Sequence, residues 1–259
     1  MGLRHVVRDA LTRVYEARLA RALVDAELPR HVGVIIDGNR RWARAIGLED
    51  VNAGHRVGAD KIVDLLRWCD EAGVGVVTLF LLSTDNLQRP EPELTPLLRI
   101  IEGVACDLAG PGRNWQLRAV GALELLPAET VAVLKEAEED TRDRPGASVN
   151  LAVGYGGRRE IADAVRSLLA EHAERGTTLP ELIDQLDVEH ISEHLYTRGQ
   201  PDPDLVIRTS GEQRMSGFLL WQTAHSEFYF TDVYWPDFRR VDFLRALRDY
   251  SARHRRFGG

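Results

Sequence analysis

The stretch VGVIIDGNRRWAR, residues 32–44, carries the strongest structural signal in the chain. An apolar run rich in Val and Ile ends at Asp37, which is typical of a strand buried on both faces of a parallel sheet. Gly38 and Asn39 then lead into a segment with helical features. In open α/β sheets, ligands bind at the carboxyl ends of strands, and a helix N-terminus offers unpaired N–H groups to an anion. This stretch therefore predicts an anion site at the end of a first strand.

The rest of the chain repeats this alternation of short apolar runs and longer amphipathic segments, which predicts strands joined by helices. The predicted strands cover residues 32–36, 76–82, 116–120, 149–153, 205–207 and 228–230. The predicted helices cover residues 54–72, 93–109, 127–139, 158–173 and 241–255. We therefore expect an α/β fold with a central, mostly parallel sheet flanked by helices.

Length and composition are those of an ordinary globular protein. The chain has 259 residues, of which 44% are hydrophobic and 28% charged. We expect one domain over residues 1–259, with an N-terminal helix within 1–29 and a C-terminal helix and tail at 240–259. The formal net charge of −7 argues against a general nucleic-acid-binding protein. Cys69 and Cys106 have no close Cys or His partner in the sequence, which predicts neither a disulfide nor a zinc site and fits a reducing cytosol.

The N-terminal segment has the period of an amphipathic helix. Charges interrupt each short apolar run, so the segment has neither a signal-peptide core nor the ~20 apolar residues that span a bilayer. The apolar stripe consists of Leu3, Val6, Val7, Ala10, Leu11, Val14 and Leu19. We expect this stripe to pack on the body of the protein, with a membrane-surface or partner-binding helix as the alternative.

The polar residues that follow the first strand have the chemistry of a magnesium–diphosphate site. Asp37 can hold a cation beside the anion, and Arg40, Arg41 and Arg44 add positive charge at the same end of the helix. Gly38 lets the backbone approach a ligand closely. The alternative is an aspartate that only caps the helix, beside solvated arginines.

A second polar segment, LLSTDNLQRP at residues 81–90, ends the next predicted strand. Ser83, Asn86 and Arg89 supply a hydroxyl, an amide and a guanidinium that can serve a phosphate. The alternative is a plain loop terminated by Pro90.

A third segment, DLVIRTSGEQRMSGFLLWQ at residues 204–222, delivers Arg208 into a Ser-Gly turn that is followed by Arg214 and Ser216. The two arginines can converge on one diphosphate, and the serine hydroxyl can bind a remaining oxygen. Farther on, Glu227 lies in the aromatic run HSEFYF. An acid there is either ion-paired within the protein or a second oxygen ligand for magnesium.

Two other segments only partly match known motifs. NLAVGYGGRREI, residues 150–161, fits neither a dinucleotide-binding nor a P-loop fingerprint, so we interpret it as a tight structural turn. His190 and His194 lie four residues apart on a predicted helix, but the acid of a zinc-protease motif does not follow His190. We assign these histidines no chemistry.

Taken together, these segments resemble the cis-prenyltransferases, the undecaprenyl diphosphate synthase family. HVGVIIDGNRRWAR, the Gly-His pair at 54–55, LLSTDNLQRP, NLAVGYGGRREI, DLVIRTSGEQRMSGFLLWQ and SEFYFTDVYWPDF occur in the family's order, over about residues 30–256. The resemblance implies an α/β fold with a hydrophobic tunnel. It also implies a Mg²⁺-dependent transferase of isoprenoid biosynthesis, which condenses isopentenyl diphosphate with an allylic diphosphate and can supply precursors of cell-wall lipid carriers.

The resemblance implies roles for single residues as well. Asp37 is similar to the aspartate that binds Mg²⁺ and diphosphate, and Glu227 to a second metal ligand that could reach a partner subunit. The implied allylic-diphosphate site comprises Gly38, Asn39, Arg40, Arg41, Trp42, His55 and Arg89. The implied isopentenyl-diphosphate site comprises Arg208, Arg214 and Ser216, and Ser83 and Asn86 resemble residues near the reacting carbons. Asp37 or the diphosphate itself is expected to accept the proton, with Asn86 orienting.

Three departures from the family pattern concern the substrates. Arg40 stands where many members have Gly, and acidic Glu49 and Asp50 occupy a region where a basic contact is common. Gln213 replaces a frequent His beside the arginine turn. Leu87 replaces a Trp that is typical of long-chain members.

Chain length in this family depends on the depth of the tunnel. Bulky Leu81 lies where long-chain members usually carry a small residue, which indicates a short product, whereas small Ala147 points the other way. We expect one addition to geranyl diphosphate, giving (2Z,6E)-farnesyl diphosphate. The alternatives are a longer-chain polyprenyl diphosphate synthase of the decaprenyl or undecaprenyl type, and a non-catalytic partner subunit.

The resemblance further implies a cytoplasmic homodimer and leaves open a peripheral contact with the inner face of the cell membrane. Arg256, Phe257 and Gly258 resemble a tail that in some members completes the neighbouring active site, with a frayed basic tail as the alternative. The all-helical trans-prenyltransferases are not matched, since the sequence contains no Asp-Asp pair.

Overall fold

A computed structural model describes the backbone of residues 3–50 and 52–254 and the side chains of residues 12–50 and 52–253. The predicted tail residues Arg256, Phe257 and Gly258 lie outside the described residues. In chain order the elements are α1 (Leu3–Ala22), β1 (His31–Ile35), α2 (Asn39–Ala45), α3 (Asn52–Glu71), β2 (Val76–Ser83), α4 (Glu91–Ala109), β3 (Gln116–Val120), α5 (Ala128–Thr141), β4 (Ser148–Tyr155), α6 (Gly157–Glu174), α7 (Leu179–Gln185), α8 (Val188–Ser192), β5 (Leu205–Arg208), β6 (Glu227–Phe230) and α9 (Arg240–His254).

The six described strands form one sheet in the order β3-β4-β2-β1-β5-β6, and every neighbouring pair is parallel. The predicted α/β fold with a central sheet is therefore confirmed. β1 lies in the middle of the sheet, between β2 and β5. Because all strands run the same way, the carboxyl ends of these three strands meet at one edge, where ligands bind in open α/β folds.

Two apolar clusters cover the two faces of the sheet. Successive side chains of a strand point to opposite faces, and accordingly Val34 belongs to the larger cluster and Ile35 to the smaller one. In the smaller cluster Phe80 stacks on Phe218, with ring centroids 4.9 Å apart. This contact fixes the segment after β5 against the carboxyl end of β2.

A β-bulge interrupts β2 near its carboxyl end. Phe80 pairs with Ala152 and Leu82 with Val153, so that Leu81 is an extra residue without a counterpart on β4. Bulges re-aim side chains and are common beside active sites. The bulge therefore determines where the Leu81 side chain points.

A buried polar network crosses the amino half of the sheet. The His31 ring contacts Pro201 O through Nδ1 at 2.7 Å and Thr78 Oγ1 through Nε2 at 2.8 Å. Asn150 Nδ2 donates to Thr78 Oγ1 at 2.9 Å and to Gln200 Oε1 at 2.6 Å. Because a carbonyl oxygen only accepts, Nδ1 carries the proton and Nε2 accepts from the threonine hydroxyl. Burial lowers the pKa of His31, which keeps the ring neutral.

The prediction that the apolar stripe of the N-terminal helix packs on the body of the protein is confirmed only in part. Leu19 is buried, and the helix packs on α9, but Val14 is 69% exposed. The side chains of residues 3–11 are outside the described set, so most of the stripe stays a prediction. Among the described helices, none combines the length and apolar composition that crossing a membrane requires.

One secondary-structure prediction was wrong at its end. α8 ends at Ser192, so His194 lies in the turn after it and not on the same helix as His190. α7 was not predicted, since its apolar residues, of which Leu179 and Ile183 are exposed, are too few for a helical period to stand out.

Candidate active site

A cavity of about 550 Å³ opens at the carboxyl ends of β1, β2 and β5. Its polar part is lined by Asp37, Gly38, Asn39, Arg40, Arg41, Arg44, His55, Ser83, Asp85, Asn86, Arg89, Arg208, Arg214 and Ser216. Its apolar part is lined by Ile36, which directly follows β1, and by residues of β2, α3 and α4, mainly Ala59, Ile62, Leu81, Leu97, Ile100, Ile101 and Val104. The cavity thus joins a charged rim to an apolar recess.

Asp37 links the ends of two neighbouring strands. Arg208 Nη2, at the end of β5, lies 2.8 Å from Asp37 Oδ2, and Arg41 Nη2 lies 3.3 Å from Oδ1. Burial works against ionisation of this carboxyl, but hydrogen bonds from Arg208 and Ser210 and the two guanidinium charges hold its pKa below the usual range. Asp37 is therefore an ionised anchor and only a weak base.

Arg208 is almost fully buried and organises the turn that follows β5. Its Nη1 donates to the carbonyl of Arg214 and to Ser216 Oγ, the latter at 2.9 Å. Its Nε has no hydrogen-bond partner among the described groups. Ser210 and Ser216 adopt positive φ angles of 83° and 50°, a strained conformation that clusters at ligand-binding turns. An anion in this turn would meet guanidinium and hydroxyl donors together.

The tight approach of α2 to the sheet depends on glycine. Gly38 has φ 100°, and a Cβ there would lie 2.7 Å from Tyr234 Cδ1. On α3, a Cβ at Gly54 would lie 2.1 Å from the Asn39 carbonyl oxygen, and one at Gly58 2.4 Å from Asn39 Oδ1. Both positions exclude any larger side chain. α2 can therefore present its N-terminus and its arginines directly to the cavity.

Arg41 connects the two halves of the rim. It donates to Ser210 O at 3.2 Å and Ser210 Oγ at 2.6 Å, and it pairs with Glu212 at 3.2 Å. Glu212 in turn pairs with Arg214. A single carboxylate thus holds one arginine from α2 and one from the turn after β5.

The other side of the rim contains Arg40, His55 and Arg89. Arg89 donates through Nε and Nη2 to Asn86 Oδ1, at 3.2 and 3.0 Å, and Asn86 N donates to Ser83 Oγ at 3.1 Å. Burial, with the charges of Arg89 and Arg40, lowers the pKa of His55 to about 4. The imidazole is therefore neutral at physiological pH and adds no charge to the rim.

The structure brings most of the sequence-predicted site residues to this one cavity. Only two lie outside its described lining. Trp42 is on α2 but does not line the cavity, and Glu227 begins β6, at the opposite end of the sheet from Asp37. Glu227 pairs there with Arg253 at 2.9 Å, which is the ion-paired alternative considered for it. It therefore does not reach Asp37 of its own chain.

The residues of the cavity fit a magnesium ion that is held mostly by its ligand. Within the described part of the chain, no three His, Cys, Asp or Glu side chains lie close enough together to form a metal site. Mg²⁺ commonly binds one or two carboxylates together with substrate phosphates and water. Asp37 fits that mode, because its side chain lines the cavity and is 30% exposed.

The carboxylate partners of the arginines were missed from the sequence. Glu93 is 53 residues from Arg40, and Glu212 is 171 residues from Arg41. Glu93 lies in an ordinary polar stretch. Glu212 lies inside the segment 204–222 that was predicted to bind diphosphate, but nothing in the local sequence marks it as the partner of an arginine from α2. Only the meeting of separate elements at the edge of the sheet makes them partners.

A sheet edge that gathers arginines, hydroxyls and a carboxylate beside an apolar recess suits a ligand with a diphosphate head and a hydrocarbon tail. This combination defines an enzyme that handles prenyl diphosphates. A family model described as putative undecaprenyl diphosphate synthase matches residues 35–258, and the chain belongs to this family, the cis-prenyltransferases. It is a transferase of prenyl groups that elongates prenyl chains.

Similar proteins are found among both characterised sequences and solved structures. A (2Z,6E)-farnesyl diphosphate synthase from Thermobifida fusca is 65% identical over 258 residues, covering 100% of both chains. A short-chain Z-isoprenyl diphosphate synthase from Mycobacterium bovis is 56% identical, covering 97% of both. Lavandulyl diphosphate synthase from Lavandula x intermedia, solved with dimethylallyl diphosphate, superimposes with a TM-score of 0.79 at 35% identity, covering 86% of this chain and 95% of that one.

Proposed function

We propose that this enzyme adds one isopentenyl unit to geranyl diphosphate and releases (2Z,6E)-farnesyl diphosphate. The observation that carries the proposal is Leu81, which the β2 bulge directs into the apolar recess. A large side chain there shortens the space for a growing chain. The names of the relatives from Thermobifida fusca and Mycobacterium bovis support the same product class.

The opposing sequence signal, Ala147, does not bear on the recess. Ala147 directly precedes β4, at the amino end of the sheet, and is not part of the cavity lining. Its small side chain therefore gives the product no extra room. The position of Ala147 outside the lining supports the short-chain proposal.

The two diphosphates are assigned to the two halves of the rim. The allylic head is placed at the N-terminus of α2 with Gly38, Arg40, His55 and Arg89, where helix N–H groups and guanidiniums attract it. We place the isopentenyl head in the turn after β5, with Arg208, Arg214 and Ser216, where the unpartnered Arg208 Nε supplies a donor. The recess then holds the hydrocarbon of the allylic substrate.

The reaction joins C1 of the allylic substrate to C4 of isopentenyl diphosphate. The allylic C1–O bond breaks, diphosphate leaves, and C2 of the isopentenyl unit loses a proton. Arginines on the rim stabilise the charge that develops on the leaving diphosphate, and the rim and recess hold the reacting carbons together. Mg²⁺, when bound by Asp37, would neutralise the same charge.

The proton acceptor follows from the electrostatics of the rim. Two arginines keep the pKa of Asp37 low, so its carboxylate is a poor base. We therefore assign the proton to an oxygen of the diphosphate. Asn86, held by Arg89, orients the isopentenyl unit for this transfer.

The proposal includes a homodimer in the cytoplasm. Glu227 can act on a metal only if the metal is bound by a second chain, because it lies far from Asp37 within its own chain. Cys69 and Cys106 are both unpaired among the described residues, as in a reducing compartment. Sedimentation of the purified protein as a monomer would contradict the shared site.

Product analysis tests the proposed function. Purified enzyme with Mg²⁺, labelled isopentenyl diphosphate and geranyl diphosphate should give one C15 product with a single new Z double bond. Leu81→Ala should give longer products, because the recess deepens, whereas Leu125→Ala, an exposed residue outside the cavity, should leave the product unchanged. C50 or longer chains from the unmodified enzyme would overturn the short-chain assignment, and no product with any starter would overturn catalysis.

A further inference from the structure

The ion pair between Arg40 and Glu93 joins α2 to the first turn of α4. Arg40 Nη1 lies 3.0 Å from Glu93 Oε2, and Nη2 donates to Oε1 at 3.3 Å. Both terminal nitrogens of the guanidinium are thus engaged by one carboxylate. Arg40 lines the cavity, but Glu93 lies outside its lining. Glu93 therefore binds a cavity-lining arginine without lining the cavity itself.

The surroundings of Arg40 are strongly positive. Its charge and that of Arg89 both lower the pKa of His55, and burial and Arg40 lower the pKa of Arg89, with Glu93 opposing. Glu93 is therefore a negative group that offsets the positive charge on this side of the rim in the absence of a ligand. A diphosphate bound at the same place would supply the negative charge in its stead.

A bidentate arginine cannot serve two anions with the same donors. Phosphate and carboxylate oxygens both bind the guanidinium through its paired N–H groups. The side chains of Arg40 and Glu93 are 32% and 41% exposed, so their pair is weak enough to exchange. A diphosphate head that takes up both terminal nitrogens of Arg40 therefore displaces Glu93.

We propose that Glu93 competes with the allylic diphosphate for Arg40 and thereby sets the affinity of the allylic subsite; this rests on the proposed function of that subsite. Glu93 weakens the binding of any diphosphate head there, and the pair re-forms when the head leaves. It is a positioning residue that acts through Arg40.

Binding measurements on single and double variants test the competition. Glu93→Gln keeps the shape of the side chain but removes its charge. It should lower the dissociation constant of inorganic diphosphate, measured by titration calorimetry, and the KM for geranyl diphosphate, each about two- to fivefold, as expected for loss of a partly exposed ion pair. The KM for isopentenyl diphosphate should not change, because Arg208 and Arg214 have other partners.

Two further variants separate competition from a general effect of charge. Glu91 lies in the same turn of α4 but does not pair with any of the described arginines of the cavity. Glu91→Gln therefore measures how the loss of a nearby negative charge alone changes diphosphate binding. In an Arg40→Gln background, Glu93→Gln should have no more effect than Glu91→Gln has. Unfolding midpoints of all variants show whether the fold is kept.

The outcomes are distinct. Unchanged or weaker binding in Glu93→Gln, with normal turnover by the unmodified enzyme, would overturn the competition and leave the proposed function standing. An equal effect of Glu93→Gln with and without Arg40 would also overturn it. Failure of the unmodified enzyme to bind diphosphate or form product would overturn the proposed function itself.

Discussion

Asp37 contacts Arg41, four residues along the chain, and Arg208, at the end of β5. Both contacts lie on the rim of the cavity. Arg208 is nearly completely buried, with only 4% of its side chain exposed. A buried guanidinium without its carboxylate leaves an uncompensated charge, which is costly. Asp37 thus has a structural role, because it neutralises Arg208, and it also has the capacity to bind a metal beside the diphosphate.

The variant Asp37→Asn should separate these roles. Asn keeps the size of the side chain and a hydrogen-bond acceptor but loses the charge, so we expect kcat to fall at least about 10²-fold. Steady-state rates at saturating Mg²⁺ measure the effect. Asp64→Asn, which removes a surface partner of Lys61, is the matched control and should keep its rate. Near-full turnover in Asp37→Asn would show that the carboxylate is dispensable.

At the scale of elements, the packing of α2 on α3 decides where the arginines of α2 point. Gly54 and Gly58 allow the two helices to approach so closely that a Cβ at Gly54 would lie 2.1 Å from the Asn39 carbonyl oxygen. Helix interiors ordinarily disfavour glycine, which costs about 1 kcal/mol relative to alanine. Here the small size of the residue outweighs its poor helix propensity.

A pair of Gly→Ala variants tests this reasoning. Gly54→Ala should destabilise the protein by about 1–3 kcal/mol through overpacking and raise the KM for the allylic substrate by displacing α2. Gly103→Ala on α4, where a Cβ would meet nothing within 4 Å, should stabilise the protein by about 0.5–1 kcal/mol. Urea unfolding and steady-state kinetics give both quantities. Equal effects at the two positions would refute the packing argument.

The sequence was most informative where burial is continuous. Each predicted strand was found. The central strands are covered on both faces and their apolar runs are uninterrupted, whereas the edge strands β3 and β6 are only partly buried. The strand order was not predictable, since it depends on which crossovers pack together. The bulge at Leu81 was invisible for a similar reason, because it exists only relative to β4.

The sequence predicted most of the polar residues that line the cavity, but not the carboxylates that pair with its arginines. Arg208 and Asp37 stand out because charged residues directly follow apolar runs. Glu93 does not stand out, because glutamate is common on exposed helices. Glu212 lies within the predicted segment 204–222, but the local sequence does not reveal its partner Arg41 on α2. Trp42 shows the converse: the family motif includes it, but its side chain lies outside the described lining of the cavity.

At the scale of the whole molecule, two buried histidines couple stability to pH. The pKa of His31 is lowered by burial, and that of His55 is lowered to about 4. An unfolded chain, with histidine pKa values near 6.5, therefore binds more protons than the folded chain does below neutrality. Stability is thus fully present above about pH 6.5 and is lost as the pH falls toward the folded-state values.

We expect the free energy of unfolding to drop by at least about 1–2 kcal/mol between pH 7.5 and pH 5, with urea unfolding as the measurement. His55→Gln should reduce this pH dependence, because Gln does not titrate. His225→Gln, at an exposed position, should retain it. A pH dependence unchanged in His55→Gln would show that this ring is not the source.

The sheet order also has a consequence for the growing chain on the ribosome. Asp37 and Arg208 are neighbours in space but 171 residues apart in sequence. A nascent chain that has not yet exposed β5 therefore carries Asp37 without Arg208, and Arg41 without Ser210 and Glu212. β1 and β2 can pair early, but the middle of the sheet remains open on one side until β5 arrives. The protein therefore acquires its diphosphate site late in synthesis, in the same step that closes its sheet.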